Sequence, residues 1–162
     1  APMFDRLPEL SVLHQCGETH LEATLAAYRA AGLETPRLRV VSFVENVPAA
    51  MAAVDLVVSR AGAITLAEIC AAGRPSVLLP LLAGGGHQLA NARLLFEAGA
   101  ASLIEDVALD ADRLRLELAN LLGDRALLAK MGENARALAR PEAAAAIVDH
   151  IEALLPPLRR AA

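Results

Sequence analysis

The sequence predicts an α/β fold: a parallel sheet with helices on both faces, followed by a helical C-terminal end. Two observations support this class. Short apolar runs rich in β-branched residues alternate with stretches of helical spacing as far as residue 104, as in strand–helix–strand units. From residue 110 onward the spacing is helical throughout. With 162 residues, the chain is long enough for one well-buried domain, and we predict a single domain over 1–162.

The clearest strand–helix–strand unit is Val54–Pro80. The apolar run Val54–Ser59 predicts a strand, a helix begins near Ile64 or Thr65, and a second strand follows at 76–80. A glycine and then a proline stand where this helix should end. Two strands joined by a helix imply parallel pairing with a right-handed crossover.

The remaining elements continue this alternation along the chain. A short helix is predicted after Asn46, because Pro48 suits a first helical turn. The other predicted strands are 10–13, 38–44 and 101–104, and the other predicted helices are 19–31, 87–97, 110–122, 124–138 and 141–155.

Composition argues against several classes of protein. A net charge of −4, no Trp, one Tyr and three Phe do not suit a nucleic-acid-binding surface. Cys16 and Cys70 lack a CxxC spacing, so we predict no metal site and no disulfide framework, and a reducing, cytoplasmic setting. No apolar run is long enough to span a membrane, and no signal peptide is visible.

Three loops lie where parallel sheets bind ligands, at the carboxyl ends of strands: after Phe43, after Ser59 and after Pro80. The second loop leads into a helix N-terminus, whose unpaired N–H groups and dipole attract phosphate. Thr65 adds a hydroxyl in the first turn, and Glu68 offers two oxygens to a sugar diol. An ordinary turn followed by a glutamate that favours the helix dipole explains the same spacing equally well.

The residues also carry a family resemblance. The segment SRAGAITLAEICAAGRPSVLLPL at 59–81, followed by HQLANARLLFEAGAA, resembles the C-terminal domain of the MurG family. These bacterial UDP-N-acetylglucosamine transferases convert lipid I to lipid II in peptidoglycan synthesis. HQCG at 14–17 and FVENVPAAMAAVDLVVSRAG at 43–62 match in order and spacing, and the resemblance is weakest after Leu109. It implies one Rossmann-like half of a GT-B fold, in which the active site lies between two such domains.

The resemblance assigns the donor, UDP-N-acetylglucosamine, to this domain. Val44 would contact the uracil through its backbone, and Glu68 would bind the ribose hydroxyls. The N-terminus of the central helix would hold the diphosphate end of the donor. Gln88, with His87 beside it, would address the sugar hydroxyls, and Asn91 would support that corner. The implied binding set is Val44, Ala63, Ile64, Thr65, Leu66, Ala67, Glu68, His87, Gln88 and Asn91.

The sequence departs from the family pattern in two places. The family opens this domain with a strand and a glycine- and serine-containing loop that touches the diphosphate, and this chain begins after them. The loop before His87 often carries charged residues in the family, whereas Gly84-Gly85-Gly86 stands here.

The resemblance also implies what lies elsewhere. The family's N-terminal domain provides the lipid I acceptor site, the membrane-facing surface and the base that deprotonates the acceptor hydroxyl. We therefore expect no catalytic residue in this chain, no cofactor, and no transfer by the chain alone. Association with the cytoplasmic face of the inner membrane would come only through the full-length protein.

Two other functions remain open from the sequence. One is the donor-binding domain of another GT-B enzyme, such as a glycolipid synthase or a UDP-sugar epimerase. The other is a stand-alone nucleotide-binding subunit that works with a partner chain. Outside the implied site, His14, His20 and His150 are interpreted as structural or exposed residues. Arg60 is interpreted either as a phosphate contact or as a solvated or carboxylate-paired arginine.

Overall fold

The computed structural model describes residues 2–81 and 86–155, and within them the chain alternates strands with helices. The strands are β1 (Val12–Gln15), β2 (Leu38–Val41), β3 (Val57–Ser59), β4 (Ser76–Leu78) and β5 (Ala101–Leu103). The helices are α1 (Pro2–Arg6), α2 (Leu21–Ala30), α3 (Val47–Ala53), α4 (Ala63–Ala72), α5 (His87–Glu97), α6 (Ala111–Gly123), α7 (Arg125–Ala137) and α8 (Ala143–Leu154). Short 3₁₀ helices occur at Glu18–His20 and Asp106–Ala108.

All strand pairs are parallel, which confirms the predicted α/β class. In the described residues the strands form two sheets, β1-β2 and β3-β4-β5. Val12 lies opposite Leu38 in the first sheet, and Ser76 lies between Val57 and Ala101 in the second. No strand pairing among the described residues joins the two sheets, so the edge strands are β1 and β2 in the first sheet and β3 and β5 in the second.

Several predicted strand boundaries are corrected. The second strand ends at Val41 rather than at residue 44, and the fourth ends at Leu78 rather than at residue 80. The first strand begins at Val12, not at residue 10, because the Arg37 guanidinium donates to the carbonyl oxygens of Leu7, Pro8 and Leu10 and holds this segment in a turn. The third begins at Val57, not at residue 54, since its ladder starts only where the Val57 N–H reaches the carbonyl of the residue before β4.

The start of α2 also differs from the prediction. A helix capped by Thr19 was expected, but residues 18–20 form a 3₁₀ turn and α2 begins at Leu21 without a side-chain cap. The N–H of His20 bonds the carbonyl of Gly17, which closes this tighter turn.

The core belongs to the second sheet and its helices. From Met3 to Ala50 no side chain is fully buried, whereas Ile69, Leu78 and Ile104 are almost completely shielded from solvent. One buried cluster joins α3, α4, α5, β4, β5 and α7, and a second joins β4, α6 and α7 through Ile104, the residue after β5. Burial of apolar area supplies most of the stabilisation, so the rigid part of the domain surrounds α4.

Helix α4 is fixed at its C-terminal end. Gly73 adopts the left-handed conformation (φ 61°) that ends a helix, as the sequence predicts. The Arg136 guanidinium of α7 donates to the Ala72 carbonyl oxygen at 3.1 Å. Gly132 of α7 packs so closely that a Cβ there would lie 2.8 Å from the Gly73 carbonyl oxygen. This packing fixes the far end of the helix whose N-terminus faces the candidate site.

Candidate functional site

The turn between β3 and α4 presents the helix N-terminus openly. Gly62 occupies the N-cap position with φ −68°, so its conformation does not itself require glycine. A Cβ built on Gly62 would meet no heavy atom within 4 Å, which leaves room beside the turn. The first N–H groups of the helix have no intrahelical partner, and Ala63 and Ile64 are exposed there, Ile64 by 79%. The geometry therefore suits an anionic group.

The predicted α4 residues divide between the surface and the core. Thr65 and Glu68 are half-buried, one turn apart, and Ala67 is exposed. Leu66 is buried in the core, and its N–H already donates to the Gly62 carbonyl at 3.0 Å. Leu66 thus holds the turn from beneath, while Thr65 and Glu68 are the polar side chains that a ligand could reach.

Helix α5 is tied directly to this turn. Asn91 Nδ2 donates to the Ala61 carbonyl oxygen at 3.3 Å. Gln88 uses its side-chain oxygen to accept the N–H of Leu81 at 3.0 Å, at the end of the segment that follows β4. His87 is exposed at the first position of the helix. The structure thus brings the starts of α4 and α5 together, as the sequence predicted for these two loops.

The loop before α5 is only partly described. Gly86 adopts φ 75°, which favours glycine, and its carbonyl accepts the N–H groups of Leu89 and Ala90. The prediction about Gly84 and Gly85 falls on residues 82–85, which lie outside the described residues.

The loop after β2 is the third loop that the sequence predicts to contact a ligand. Val44 is half-buried, and its N–H donates to Gln15 Oε1 at 3.0 Å. Phe43 beside it is 67% exposed and lines an open groove of about 430 Å³, together with Leu13 and Val41 of the first sheet. Helix α3 follows at once, capped by Asn46, whose Oδ1 accepts the N–H of Ala49 at 3.0 Å.

The same kind of hydrogen bond fixes all three loops. Each is held by a hydrogen bond with a side-chain amide of a neighbouring element or of the next helix. Gln15 accepts from the β2–α3 loop, Gln88 accepts from the β4–α5 loop, and Asn91 donates to the β3–α4 turn. Amides can accept and donate at once. A group engaged at one atom therefore keeps its other atom for a ligand.

Gln15 is a contact residue that the sequence does not predict. Asn91 and Gln88 are predicted because their helix follows the glycine loop, whereas Gln15 is noted only as one letter of HQCG. A usable signal was present: Gln15 is the last residue of a strand, at the edge where parallel sheets bind ligands.

Polar residues outside the implied binding set have structural partners. His14 Nδ1 bonds the Tyr28 hydroxyl at 2.9 Å, as expected of a structural histidine. Arg60 donates to the Leu79 carbonyl oxygen at 3.0 Å and so links the β3–α4 turn to the end of β4. Burial raises the pKa of Tyr28, and Cys16 raises it further; burial also raises the pKa of the Cys70 thiol.

Two kinds of feature are absent from the part of the chain that the structure describes. There is no group of three or more His, Cys, Asp or Glu side chains positioned to hold a metal ion. No helix among these residues combines the length and the hydrophobicity that a transmembrane span needs.

Comparison with known proteins agrees with this architecture. Residues 4–149 match the model of the glycosyltransferase family 28 C-terminal domain. Two similar relatives are named UDP-N-acetylglucosamine–N-acetylmuramyl-(pentapeptide) pyrophosphoryl-undecaprenol N-acetylglucosamine transferase. The protein of Halorhodospira halophila is 50% identical over 133 residues, which cover 82% of this chain and 37% of the relative. That of Nitratidesulfovibrio vulgaris is 46% identical over 150 residues, covering 88% and 39%.

A solved structure extends the agreement to three dimensions. The crystal structure of Acinetobacter baumannii MurG matches with a TM-score of 0.79 and 34% sequence identity, covering 94% of this chain and 44% of that one. The chain thus spans about two fifths of the length of the proteins it matches. The resemblance read from the sequence is confirmed, and the chain belongs to the glycosyltransferase family 28 C-terminal domain family.

Proposed function

We propose that this chain is the donor-binding part of an inverting glycosyltransferase that transfers N-acetylglucosamine from UDP-N-acetylglucosamine to lipid I. One observation supports this most strongly. The open N-terminus of α4 and the polar start of α5 are joined by the Asn91–Ala61 hydrogen bond at one sheet edge. A diphosphate and the sugar attached to it need such neighbouring sites.

The donor would lie across the three loops. The uracil would contact the backbone of Val44, and the ribose hydroxyls would bind the carboxylate of Glu68. The diphosphate would lie at the first turn, where the N–H groups of Ala63, Ile64 and Thr65 point outward. Gln88 and His87 would contact the sugar hydroxyls, since the Gln88 Nε2 remains able to donate while its oxygen holds Leu81. Ala67 would lie beside this set, and Leu66 would support it from the core.

Chemistry at this site would be confined to the leaving group. As the glycosidic bond to the diphosphate breaks, negative charge grows on the diphosphate, and a helix N-terminus stabilises it without a metal ion. The base that deprotonates the acceptor, the lipid I site and the membrane-facing surface would belong to the rest of a longer polypeptide. The chain alone would bind the donor and transfer nothing. We place the whole enzyme in the cytoplasm, on the inner face of the bacterial membrane.

Calorimetric titration tests this proposal. We expect a folded sample of the chain to bind UDP-N-acetylglucosamine more tightly than UDP-glucose, and both more tightly than glucose 1-phosphate, which lacks the nucleoside. Circular dichroism recorded on the same sample shows whether the chain is folded. No heat of binding with any uridine nucleotide from a folded sample would contradict donor binding. Equal affinity for the two sugar nucleotides would contradict the assignment of N-acetylglucosamine.

The acceptor needs a separate experiment. We expect the full-length protein to restore growth of a bacterial strain depleted of its lipid II-forming transferase, and the 162-residue chain not to do so. Failure of the full-length protein to restore growth would favour another acceptor. Growth with the chain alone would show that the base lies within it.

A further inference from the structure

Gln15 contacts Val44, but the proposed donor site gives Gln15 no role. Its side-chain oxygen accepts the Val44 N–H at 3.0 Å, across 29 positions of the chain. Gln15 lies opposite Val41 in the β1–β2 ladder and two residues from Leu13, so the three share one face of the sheet. Leu13 and Val41 line the open groove of about 430 Å³. Gln15 therefore lies on the face of the sheet that carries this groove.

The hydrogen bond orients the Gln15 carboxamide. Because the backbone N–H can only donate, the carboxamide must turn its oxygen toward Val44 and its Nε2 away from it. Gln15 is exposed, and so its two N–H bonds remain available beside the Val44 backbone. Among the described residues, nothing donates to the Val44 carbonyl oxygen. A donor and an acceptor thus stand next to each other.

We propose that Gln15 determines which base the site accepts: its Nε2 donates to a carbonyl of the base while the Val44 carbonyl accepts the neighbouring ring N–H. This inference rests on the proposed function, which places the base at Val44. Uracil carries an N–H between two carbonyl groups and fits this pair. Cytosine has an unprotonated ring nitrogen and an amino group at the matching edge, so it would place donor against donor and acceptor against acceptor.

A purely structural role for Gln15 predicts something different. If its amide only held the loop, any acceptor at this position would serve, and the preference between bases would not change with the variant. The Gln15→Glu variant separates the two roles. Its carboxylate still accepts the Val44 N–H, but it has no N–H to offer a uracil carbonyl.

The added charge of Gln15→Glu needs a control, and Asn46 offers one. Asn46 lines the same groove, and Asn46→Asp adds the same charge while its oxygen still caps α3. Repulsion between the added carboxylate and the diphosphate would weaken the binding of UDP and of CDP by the same factor in both variants. Only a change at the base would alter the ratio of the two dissociation constants.

The test is calorimetric titration of the 162-residue chain, its Gln15→Glu and Gln15→Ala variants and Asn46→Asp, each with UDP and with CDP. We expect the wild-type chain to prefer UDP by about tenfold or more, as a matched hydrogen-bonding pair discriminates between bases. Gln15→Glu should remove most of that preference, Gln15→Ala should reduce it, and Asn46→Asp should leave it unchanged. Thermal melting identifies any variant that fails to fold.

The outcomes separate this inference from the proposed function. If the wild type prefers UDP and both Gln15 variants keep that preference, Gln15 does not read the base, and donor binding still stands. Equal binding of UDP and CDP by the wild type overturns the inference as well. If the folded wild-type chain binds neither nucleotide, the proposed function fails and the inference fails with it. Should Gln15→Glu not fold, the ratio in Gln15→Ala decides.

Discussion

Asn91 Nδ2 donates to the Ala61 carbonyl oxygen, and this bond joins α5 to the turn that opens α4. Ala61 is fully buried, so its carbonyl depends on a protein partner rather than on water. The position of the turn before α4 is thus set in part by a side chain that lies 30 residues further along the chain.

Replacing Asn91 should loosen this turn. In Asn91→Ala the buried Ala61 carbonyl loses its partner, and we expect the free energy of unfolding to fall by about 1–3 kcal/mol. UDP-N-acetylglucosamine should also bind more weakly. Asn91→Asp should cost at least as much, because a carboxylate cannot donate to a carbonyl. Urea denaturation measures the first effect, with Asn120→Ala, an exposed change in α6, as the control. Equal stability of Asn91→Ala and the control would contradict the role given to this bond.

Glu68 should matter for binding and little for folding. Its carboxylate makes no hydrogen bond or ion pair with the described residues. In Glu68→Ala the ribose hydroxyls would lose a charged acceptor, a change of about 1.5–3 kcal/mol or roughly 10- to 100-fold in donor affinity. Calorimetry on the full-length protein measures it. Glu97→Ala, at the far end of α5, is the control; a Glu68→Ala protein with unchanged affinity would exclude the ribose role.

Two glycines in neighbouring helices should respond oppositely to alanine. At Gly132 a Cβ would lie 2.8 Å from the Gly73 carbonyl oxygen, which belongs to the backbone and cannot easily move. We expect Gly132→Ala to destabilise the domain by about 1–3 kcal/mol. At the end of α6, a Cβ on Gly123 would meet nothing within 4 Å, and Gly123→Ala should be neutral or stabilising by about 0.5–1 kcal/mol. Chemical denaturation of both variants checks the pair, and equal effects would show that the α4–α7 contact is looser than described.

The junction of α6 and α7 depends on one cap. Asp124 Oδ1 accepts the N–H of Leu127 at 2.9 Å and begins α7 directly after α6 ends. Asp124→Ala should lower the free energy of unfolding by about 1 kcal/mol. Asp124→Asn should lower it much less, because asparagine caps a helix equally well. Thermal unfolding distinguishes the two. If both variants melt at the same lowered temperature, the charge of Asp124 rather than its cap is responsible.

Stability should fall in alkaline solution partly through Tyr28. Burial, and then Cys16, raise the pKa of Tyr28 above its ordinary value of 10.0 in the folded chain. Above pH 10.0 the unfolded chain loses this proton first and binds fewer protons than the folded chain, so the free energy of unfolding decreases as the pH rises.

The Tyr28→Phe variant tests this assignment, because phenylalanine does not titrate. Above pH 10.0 the variant should lose stability less steeply, by up to about 1.4 kcal/mol per pH unit for one proton. Burial also raises the pKa of the Cys70 thiol above 9.0, and this group contributes equally to the pH dependence of stability in both proteins. Urea denaturation at several pH values measures the slope of the free energy of unfolding against pH. Equal slopes in the wild type and the variant would show that Tyr28 does not cause the loss of stability.

Local patterns predicted much of the fold. The helix α4 was recognised from its spacing and from Gly73, and the structure places that glycine in the left-handed conformation. The α/β class followed from alternating elements. The division into two sheets did not, because strand pairing joins residues far apart in sequence and short strands such as Val57–Ser59 carry little information about their neighbours.

The site was predicted less completely, for a similar reason. Thr65, Glu68 and Gln88 could be chosen because each follows a recognisable strand or turn. The hydrogen bonds that hold the loops join Gln15 to Val44 and Asn91 to Ala61, across 29 and 30 positions. No periodicity in a sequence encodes a contact of that kind, since it depends on how the elements pack.

The hydrogen bond from Arg136 to the Ala72 carbonyl spans 64 positions of the chain. During synthesis from the N-terminus, β3, α4 and β4 are therefore complete well before the partner that satisfies the end of α4 exists. Contacts with such large sequence separation slow folding, because a long loop must close before they form. We therefore expect the helix whose N-terminus faces the candidate site to reach its final arrangement late, since a nascent chain that stops before α7 lacks that support.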